Sequence, residues 1–410
     1  MRVLYFHQHF TTPDGSGGTR SYEFARALLA RGHHVTMVCG LSATGGLKLP
    51  WDPAQRWSRG TIDGIDVIAL PLEYSNRTSL ARRAWVFVKF AARSLAIARR
   101  EPHDVLFATS TPLTAALPGI ANKLLGRKTP FVFEVRDLWP ELPRALGMKN
   151  PLLLGGMSAL EWLGYRTADA CIGLAPGIAE GIRRRAPRDL RIVTIPNGCN
   201  LDLFTPAIRS KPLDLAGIEP GDFVAGFTGA HGIANGLDAL LDAAAELLRR
   251  GRNDIKLVLI GDGNQKDRLV GRAKSEGLSN CIFFPPVKKT EIARITASFD
   301  CGLQILADVP AFYHGTSPNK FFDYISSGIP VLNNYPGWLA ELLQIHGCGI
   351  ATQPRNAIAL ADGLCALADD PTGCRAMGEA ARRLAMTQFS RNELARQFVE
   401  QLEHTAHSAR

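Results

Sequence analysis

The chain has 410 residues, a formal net charge of +9 and a hydrophobic content of 46%. Because this length exceeds what one hydrophobic core usually supports, we expect two domains. The positive charge favours an anionic partner such as a nucleotide or a membrane surface. We expect no nucleic-acid partner, since the aromatic and basic interleaving of RNA-binding modules is not evident. Eight cysteines without a C-x-x-C pair, and no cleavable signal pattern, indicate reduced thiols and a cytoplasmic protein.

The N-terminal half begins with a strand predicted over residues 2–9, a glycine-rich loop, an amphipathic helix and a second strand over residues 35–39. Ser16, Gly17 and Gly18 in that loop allow a ligand to approach the backbone closely, so we expect them to contact donor phosphate or sugar. A surface turn is the alternative. Residues 41–59 are predicted to be an irregular, mobile loop, and residues 65–70 a strand.

Residues 79–100 are predicted to form a helix rich in basic and aromatic residues, including Trp85, Phe87 and Phe90. Such a helix either lies on an anionic membrane face or packs on the sheet with a basic outer side, and the sequence leaves both open. The first alternative gives a cytoplasmic protein with peripheral contact to the inner leaflet. The uncharged run at 105–122 contains prolines and is better interpreted as strand, loop and helix than as a membrane span.

A polar cluster follows the strand predicted over residues 130–135. Ligands of open α/β sheets bind beyond the carboxyl ends of the strands, so Glu134, Arg136 and Asp137 are candidate functional residues. We assign Glu134 and Asp137 as catalytic candidates, with Asp137 binding a sugar hydroxyl or orienting an acceptor, and Arg136 as a substrate ligand. A structural Arg–Asp ion pair is the alternative.

The C-terminal half repeats the alternation of strands and helices, with candidate ligand loops after the strands predicted over 223–228, 256–260 and 280–285. Glycine-rich turns ahead of helices suit phosphate. His231 either reaches a phosphate or sugar or packs in a crevice between the domains. The candidate substrate-binding residues in these loops are Gly229, His231, Gly232, Gly261, Gly263, Val287 and Lys288.

The segment around which the rest is organised covers residues 313–331, where a loop predicted over residues 307–316 leads into a helix. Ser317 is expected to cap this helix, whose N-terminus favours an anionic group. Lys320 adds a positive charge there and is a catalytic candidate, and Asp323 lies on the same helical face to hold a vicinal diol. A solvated Lys–Asp pair is the alternative. The other candidate ligands here are Gly315, Thr316, Ser317, Pro318 and Asn319.

These features together resemble the retaining glycosyltransferases of family four, which have the GT-B fold. The resemblance rests on the two-half layout, the loop at 15–18, the Pro-Asn-Gly linker at 196–198 and the Gly-Asp-Gly turn at 261–263. It implies two Rossmann-like β/α/β domains facing a central cleft. We place an acceptor-side domain at 1–200, a nucleotide-sugar domain at 201–386 and a capped C-terminal helix at 387–410.

Segments 136–140 and 317–320 resemble more narrowly the enzymes that build bacterial O-antigen (lipopolysaccharide) or capsule, including N-acetyl-L-fucosamine transferases. This resemblance implies a UDP-sugar donor, a saccharide or polyprenyl-linked (lipid-linked) acceptor, no metal and no further cofactor. Asp323 stands where the family's second glutamate of the E-x7-E pattern holds the ribose. Gly315 replaces the first glutamate, and the usual Arg and Lys are missing from residues 232–235. A UDP-sugar 2-epimerase and a non-catalytic sugar-nucleotide-binding relative remain alternatives.

Overall fold

The computed structural model describes residues 1–41, 45–72, 80–145, 147–208 and 217–408, apart from the side chains of residues 80 and 81. Residue 79, which begins the predicted basic helix, lies outside these ranges. The chain divides into two compact units. Unit 1 comprises Met1–Pro196, Gly315–Ser317 and Asn392–Arg410, and unit 2 comprises Asn197–His314 and Pro318–Arg391.

The described part of unit 1 is built on one mixed sheet. Its strands are β1 (Arg2–Phe6), β2 (His34–Gly40), β3 (Trp51–Asp52), β4 (Trp57–Ile62), β5 (Ile65–Leu70), β6 (Val105–Thr109), β7 (Phe131–Val135), β8 (Ala170–Gly173) and β9 (Arg191–Thr194). The strand order is β3-β4-β5-β2-β1-β6-β7-β8-β9. β4 is antiparallel to its neighbours β3 and β5, and every other neighbouring pair is parallel. The apolar side chains of the parallel strands are buried because helices cover both faces of such a sheet.

Helices connect the strands of unit 1. They are α1 (Arg20–Ala30), α2 (Leu80–Arg100), α3 (Leu117–Leu124), α4 (Glu141–Ala145), α5 (Pro151–Thr167) and α6 (Pro176–Arg183). The side chain of Asn150 caps α5 by accepting from the amides of Leu152 and Leu153, and Pro151 fits the first helical turn. The uncharged run at 105–122 forms β6, a short 3-10 helix and most of α3. No helix in the described ranges is long and apolar enough to cross a membrane.

The described part of unit 2 is an all-parallel sheet with the strand order β12-β11-β10-β13-β14-β15. The strands and helices are β10 (Phe223–Thr228), α7 (Asp238–Arg249), β11 (Ile255–Ile260), α8 (Lys266–Ser275), β12 (Cys281–Phe284), α9 (Lys289–Ala297), β13 (Cys301–Gln304), α10 (Pro310–Gly315), α11 (Asn319–Ser326), β14 (Val331–Asn333), α12 (Trp338–His346), β15 (Gly349–Ala351), α13 (Ala357–Asp369) and α14 (Pro371–Gln388). Both units are therefore Rossmann-like α/β folds, as the sequence predicted.

The last helix, α15 (Arg391–Ser408), packs on the core of unit 1. The ring of Phe398 stacks on Phe24 at a centroid distance of 4.6 Å and meets Phe107 edge-on at 5.0 Å. Burial of Leu394 and Leu402 completes one apolar stripe along the helix. The C-terminal end of the chain is thus part of the fold of unit 1.

Two stretches predicted to be loops contain regular structure. Residues 41–59 were expected to be irregular, but β3 and β4 form an antiparallel edge next to β5, and Trp57 is buried there. The prediction failed because neither strand shows a sustained alternation of apolar and polar residues, and pairing with β5 supplies the stability instead. Likewise, the loop predicted over residues 307–316 contains the short helix α10.

Candidate functional site

Lys320 lies in the first turn of α11, beside the turn that follows β10. Its ammonium Nζ donates to Asn235 Oδ1 at 3.1 Å and lies 4.4 Å from the centre of the Phe227 ring. Burial lowers the pKa of this ammonium to about 8. A half-buried cation whose hydrogen-bond partner among the described residues is the neutral Asn235 is electrostatically suited to an incoming anion.

The cap of α11 differs from the prediction. Pro318, not Ser317, occupies the N-cap position, and its side chain makes no capping hydrogen bond. Pro318 cannot accept a hydrogen bond through its ring, so the helix starts without a side-chain cap from that residue. Asn319 then forms the first position of the helix, one residue ahead of Lys320. The helix start and the cation therefore occupy the same small region of unit 2.

The glycine turns of unit 2 pack tightly against one another. A Cβ on Gly261 would lie 1.8 Å from the carbonyl oxygen of Gly229, and both residues have a φ near +149°. A Cβ on Gly263 would lie 2.4 Å from the carbonyl oxygen of His231. Close backbone packing therefore accounts for Gly261 and Gly263, whereas a Cβ on Gly229 would lie 3.0 Å from Lys320 Cε and one on Gly232 would meet open space. The ligand roles of these glycines stay predictions.

His231 is completely buried within unit 2 between aromatic rings. The ring centres of Phe227 and Phe283 lie 6.0 and 6.1 Å from that of His231. Neither ring nitrogen has a hydrogen-bond partner among the described residues. Burial, reinforced by the charges of Lys266 and Lys320, lowers the pKa of His231 to about 4, so the imidazole is neutral at pH 7.

Asp323 does not form the solvated pair with Lys320 that its position on the helix suggested. Its Oδ2 accepts from Lys289 Nζ at 2.7 Å, and the carboxylate is only 5% exposed. Lys289 is also buried, over the ring of Phe204. Asp323 is thus one partner of a buried ion pair, while its Oδ1 has no hydrogen-bond partner among the described residues. Its ribose-binding role stays a prediction.

The remaining candidates of the C-terminal half lie in loops. Val287 is half-buried and Lys288 exposed, and both precede α9 at the carboxyl end of β12. Gly315 ends α10, and it is grouped with Thr316 and Ser317 in unit 1. Their predicted ligand roles stay predictions.

Glu134, which the sequence analysis assigned as a catalytic candidate, forms a buried ion pair with Arg20. Its side chain is completely buried at the end of β7 and accepts from Arg20 Nη2 at 2.8 Å and Thr109 Oγ1 at 2.9 Å. Arg20 is also buried and donates to the carbonyl oxygens of Ile195 and Pro196. The pair joins the start of α1 to the ends of two strands, which gives Glu134 a structural role. Its catalytic role stays a prediction.

Asp137 and Arg136 follow β7 at the edge where a ligand is expected. Asp137 accepts a hydrogen bond from Thr111, and the Arg136 amide donates to Ser110 Oγ at 2.8 Å. Burial raises the pKa of Asp137, against the effect of the Arg136 charge and the Thr111 hydrogen bond. This arrangement holds the Asp137 carboxyl at the carboxyl edge of the sheet.

Residues 7–9 form a further polar group at this edge, which the sequence analysis did not single out. His7 and Gln8 are buried, and His7 Nδ1 and both amide atoms of Gln8 have no hydrogen-bond partner in the described part of the chain. Burial and the charge of Arg136 lower the pKa of His7 and bring that of His9 to about 4. The alternating histidines directly after β1 were the signal that could have identified this group.

The glycine-rich loop lies beside these residues in the sequence. Ser16 is exposed, and a Cβ on Gly17 would lie 2.7 Å from Thr11 Oγ1. A Cβ on Gly17 would therefore crowd the Thr11 side chain, and the ligand roles of Ser16, Gly17 and Gly18 stay predictions. No three His, Cys, Asp or Glu side chains in the described ranges are placed to share a metal ion.

Comparison with known proteins identifies the class. Residues 15–198 match the family model of the glycosyl transferase 4-like domain, and residues 216–384 match that of glycosyl transferases group 1. Together the two matches cover most of the chain. The chain therefore belongs to the GT4-type glycosyltransferases, with two Rossmann-like domains of the GT-B fold.

Individual relatives agree with this family. A D-inositol 3-phosphate glycosyltransferase from Nocardia farcinica is 30% identical over 200 residues, which are 47% of this chain and 43% of that protein. A sucrose-phosphate synthase from Thermosynechococcus elongatus has a TM-score of 0.79 at 19% identity, covering 100% of both chains. The Anabaena protein HepE in complex with UDP-glucose has a TM-score of 0.68 at 19% identity, covering 98% of this chain and 100% of HepE. The alignment with the Nocardia protein spans less than half of its length, and the two structural likenesses concern the fold.

Proposed function

We propose that the chain transfers a glycosyl group from a UDP-sugar to a hydroxyl of a saccharide or lipid-linked acceptor, with retention of configuration and without a metal ion. The observation that carries this proposal is the half-buried ammonium of Lys320 in the first turn of α11, beside the turn after β10. A helix start and a cation together favour a diphosphate. Structures of HepE with UDP-glucose support a nucleotide-sugar donor for this fold.

In the proposed reaction, the bond between the anomeric carbon and the β-phosphate oxygen breaks, and the electron pair leaves with the nucleoside diphosphate. Lys320 and the first amides of α11 stabilise the negative charge that develops on this phosphate. The acceptor oxygen forms the new glycosidic bond on the same face of the sugar. Its proton passes to a phosphate oxygen of the leaving group, so no protein base is consumed.

We assign the polar group of unit 1 to the acceptor or the transferred sugar. Asp137, His7 and Gln8 lie at the carboxyl edge of the unit 1 sheet and offer hydrogen-bonding atoms, some of them unpartnered within the described ranges. A sugar has many hydroxyl groups that donate and accept hydrogen bonds, so it satisfies such atoms. These residues are proposed to position substrate and not to take part in bond making.

Two short segments bear on the identity of the transferred sugar and of the acceptor. The resemblance of segments 136–140 and 317–320 to O-antigen and capsule enzymes supports an N-acetylated deoxyhexosamine as the transferred sugar. A lipid-linked acceptor would place the enzyme at the inner membrane. Of the three aromatic residues noted in α2, Trp85 is exposed, Phe87 is half-buried and Phe90 is buried, so Trp85 is the one available for such contact.

The experiment that tests the function is a titration of the purified chain with UDP, GDP and ADP, followed by incubation with UDP-sugars. In the titration, we expect UDP to bind more tightly than GDP or ADP. In the incubation, we expect the preferred UDP-sugar to yield free UDP only when an acceptor is present. Isomerisation of the donor sugar without an acceptor would instead identify an epimerase. Binding of UDP with no turnover across a panel of saccharide and polyprenyl-linked acceptors would identify a non-catalytic protein.

A further inference from the structure

The outer face of α5 is apolar although it is open to solvent. Leu152 is 85% exposed, Leu153 and Trp162 are also exposed, and a Cβ on Gly155 or Gly156 would meet no atom within 4 Å. Glu161 is the one acidic residue of the helix, and it is buried and ion-paired with Arg185. The exposed face of α5 therefore carries no carboxylate. Contiguous apolar surface of this kind commonly marks an interaction site.

The outer face of α2 has the same character with added positive charge. Trp85 is 59% exposed and Val88 is also exposed, next to the exposed cations Arg82 and Lys89. The Lys89 ammonium lies 5.0 Å from the centre of the Trp85 ring. Residues 80–100 contain no acidic side chain.

The two faces belong to the same side and the same end of unit 1. Helix α3 packs against both α2 and α5. Because β6 and β8, which follow α2 and α5, are parallel strands of one sheet, the two helices run in the same direction. Trp85 precedes the last residue of α2 by fifteen positions, and Leu152 precedes the last residue of α5 by the same number. Both therefore lie towards the carboxyl edge of the sheet.

The basic residues near these positions complete the pattern. Lys149 and Arg144 are exposed shortly before the start of α5, and Arg82 lies in the first turns of α2. These cations outnumber the exposed carboxylate of Glu141 at the start of α4. An apolar surface bordered by lysine and arginine, with no carboxylate on the outer faces of α2 and α5, is complementary to an anionic bilayer surface. A soluble protein partner of matching charge would need an acidic apolar surface, which is a less common combination.

We propose that the N-terminal turns of α2 and α5 together form a bipartite membrane-docking surface. In it, Trp85 and Val88 from one helix and Leu152 and Leu153 from the other enter the interface of an anionic bilayer. The neighbouring cations contact the lipid phosphates. Insertion by both helices fixes the tilt of unit 1 on the membrane. Insertion by α2 alone would leave unit 1 able to rotate about the α2 axis. This inference rests on the proposed function, because a lipid-linked acceptor requires the carboxyl edge of unit 1 near the bilayer.

The test is co-sedimentation of the full chain with vesicles of phosphatidylcholine alone and of phosphatidylcholine with about one third phosphatidylglycerol. We expect binding to the anionic vesicles only. The paired substitution Leu152→Glu with Leu153→Glu should weaken that binding at least tenfold, as should Trp85→Glu. The matched control is Leu124→Glu with Leu125→Glu. Both leucines are exposed, and they lie at the C-terminal end of α3, away from the N-terminal turns of α2 and α5. The control should bind within twofold of the unchanged chain.

The proposal would be overturned if the Leu152 and Leu153 variant bound anionic vesicles as well as the unchanged chain does. It would also be overturned if this variant and the Leu124 and Leu125 control lost vesicle binding equally. Light scattering tests whether a second copy of the chain, and not a membrane, binds this face. A dimer that dissociates on the Leu152 and Leu153 substitutions, together with no vesicle binding, would make the surface a subunit interface. Transfer to a soluble acceptor, measured on the same variants, should stay unchanged. Loss of vesicle binding with intact transfer separates this inference from the proposed function.

Discussion

Lys289 Nζ lies 2.7 Å from Asp323 Oδ2 in the interior of unit 2, where both side chains are less than a tenth exposed. The pair connects the start of α9 to the middle of α11, the helix that carries Lys320. It therefore fixes the helix on which the proposed phosphate contact depends. Removal of one partner leaves the other charge buried without compensation.

Substitution of Lys289 by Met should lower the free energy of unfolding by about 3–5 kcal/mol, because Asp323 would lose its counter-charge. Urea unfolding followed by circular dichroism measures this loss. Lys288→Met is the control, since Lys288 is exposed next to it and should change the free energy by less than about 0.5 kcal/mol. Equal effects at the two lysines would contradict the role given to the buried pair.

The same logic applies to Glu134 in unit 1. Glu134→Ala should destabilise unit 1 by about 3–5 kcal/mol, since Arg20 would remain buried with an unpaired charge. Glu141→Ala, at the exposed start of α4, should cost less than about 1 kcal/mol. A Glu134 variant of unchanged stability that has lost turnover would contradict the structural role and support Glu134 as a catalytic residue.

His231 predicts a dependence of stability on pH. Its folded pKa of about 4 lies below the value in the unfolded chain, so the unfolded state binds more protons between pH 4 and about 6.5. The stability that the folded chain gains by keeping His231 neutral is therefore fully present above about pH 6.5 and is lost as the pH falls towards 4. The loss should be roughly 1–2 kcal/mol at pH 5.5.

Unfolding measured from pH 7.5 to 5.0 checks this dependence. His231→Phe should flatten it, since phenylalanine fits between Phe227 and Phe283 without a titrating group. His34→Gln, at an exposed position at the start of β2, should leave it as in the unchanged chain. An identical pH profile for His231→Phe and the unchanged chain would show that His231 is protonated or accessible in the folded state.

Lys320 predicts an alkaline limit to activity. Because burial brings its pKa to about 8, the ammonium is progressively lost above pH 8 in the free enzyme, and kcat/KM should fall there. An arginine side chain keeps its charge to a much higher pH. In the Lys320→Arg variant, the fall of kcat/KM at alkaline pH should therefore disappear or move upward by more than one pH unit. The same alkaline limb in both proteins would assign the titration to another group.

Much of the fold was predictable because buried parallel strands appear as short apolar runs bounded by glycine and proline. The same runs located the carboxyl-edge loops and Lys320. The partners of the buried carboxylates were not predictable, because Arg20 lies 114 residues from Glu134 and Lys289 lies 34 residues from Asp323. Helical spacing placed Asp323 next to Lys320, but only the packing of α9 on α11 shows that it faces inward. The sequence analysis did not predict the edge strands β3 and β4, because neither shows a sustained alternation of apolar and polar residues.

The proposed reaction depends on Lys320, which stabilises the charge on the departing nucleotide. The most direct measurement is the turnover of Lys320→Ala with the preferred UDP-sugar and acceptor at pH 7, compared with Lys274→Ala on the exposed surface of α8. Loss of one charge-stabilising donor should lower kcat by about a hundredfold or more, while Lys274→Ala should retain the full rate. Near-normal turnover by Lys320→Ala, in a variant with an unchanged free energy of unfolding, would contradict this role of Lys320.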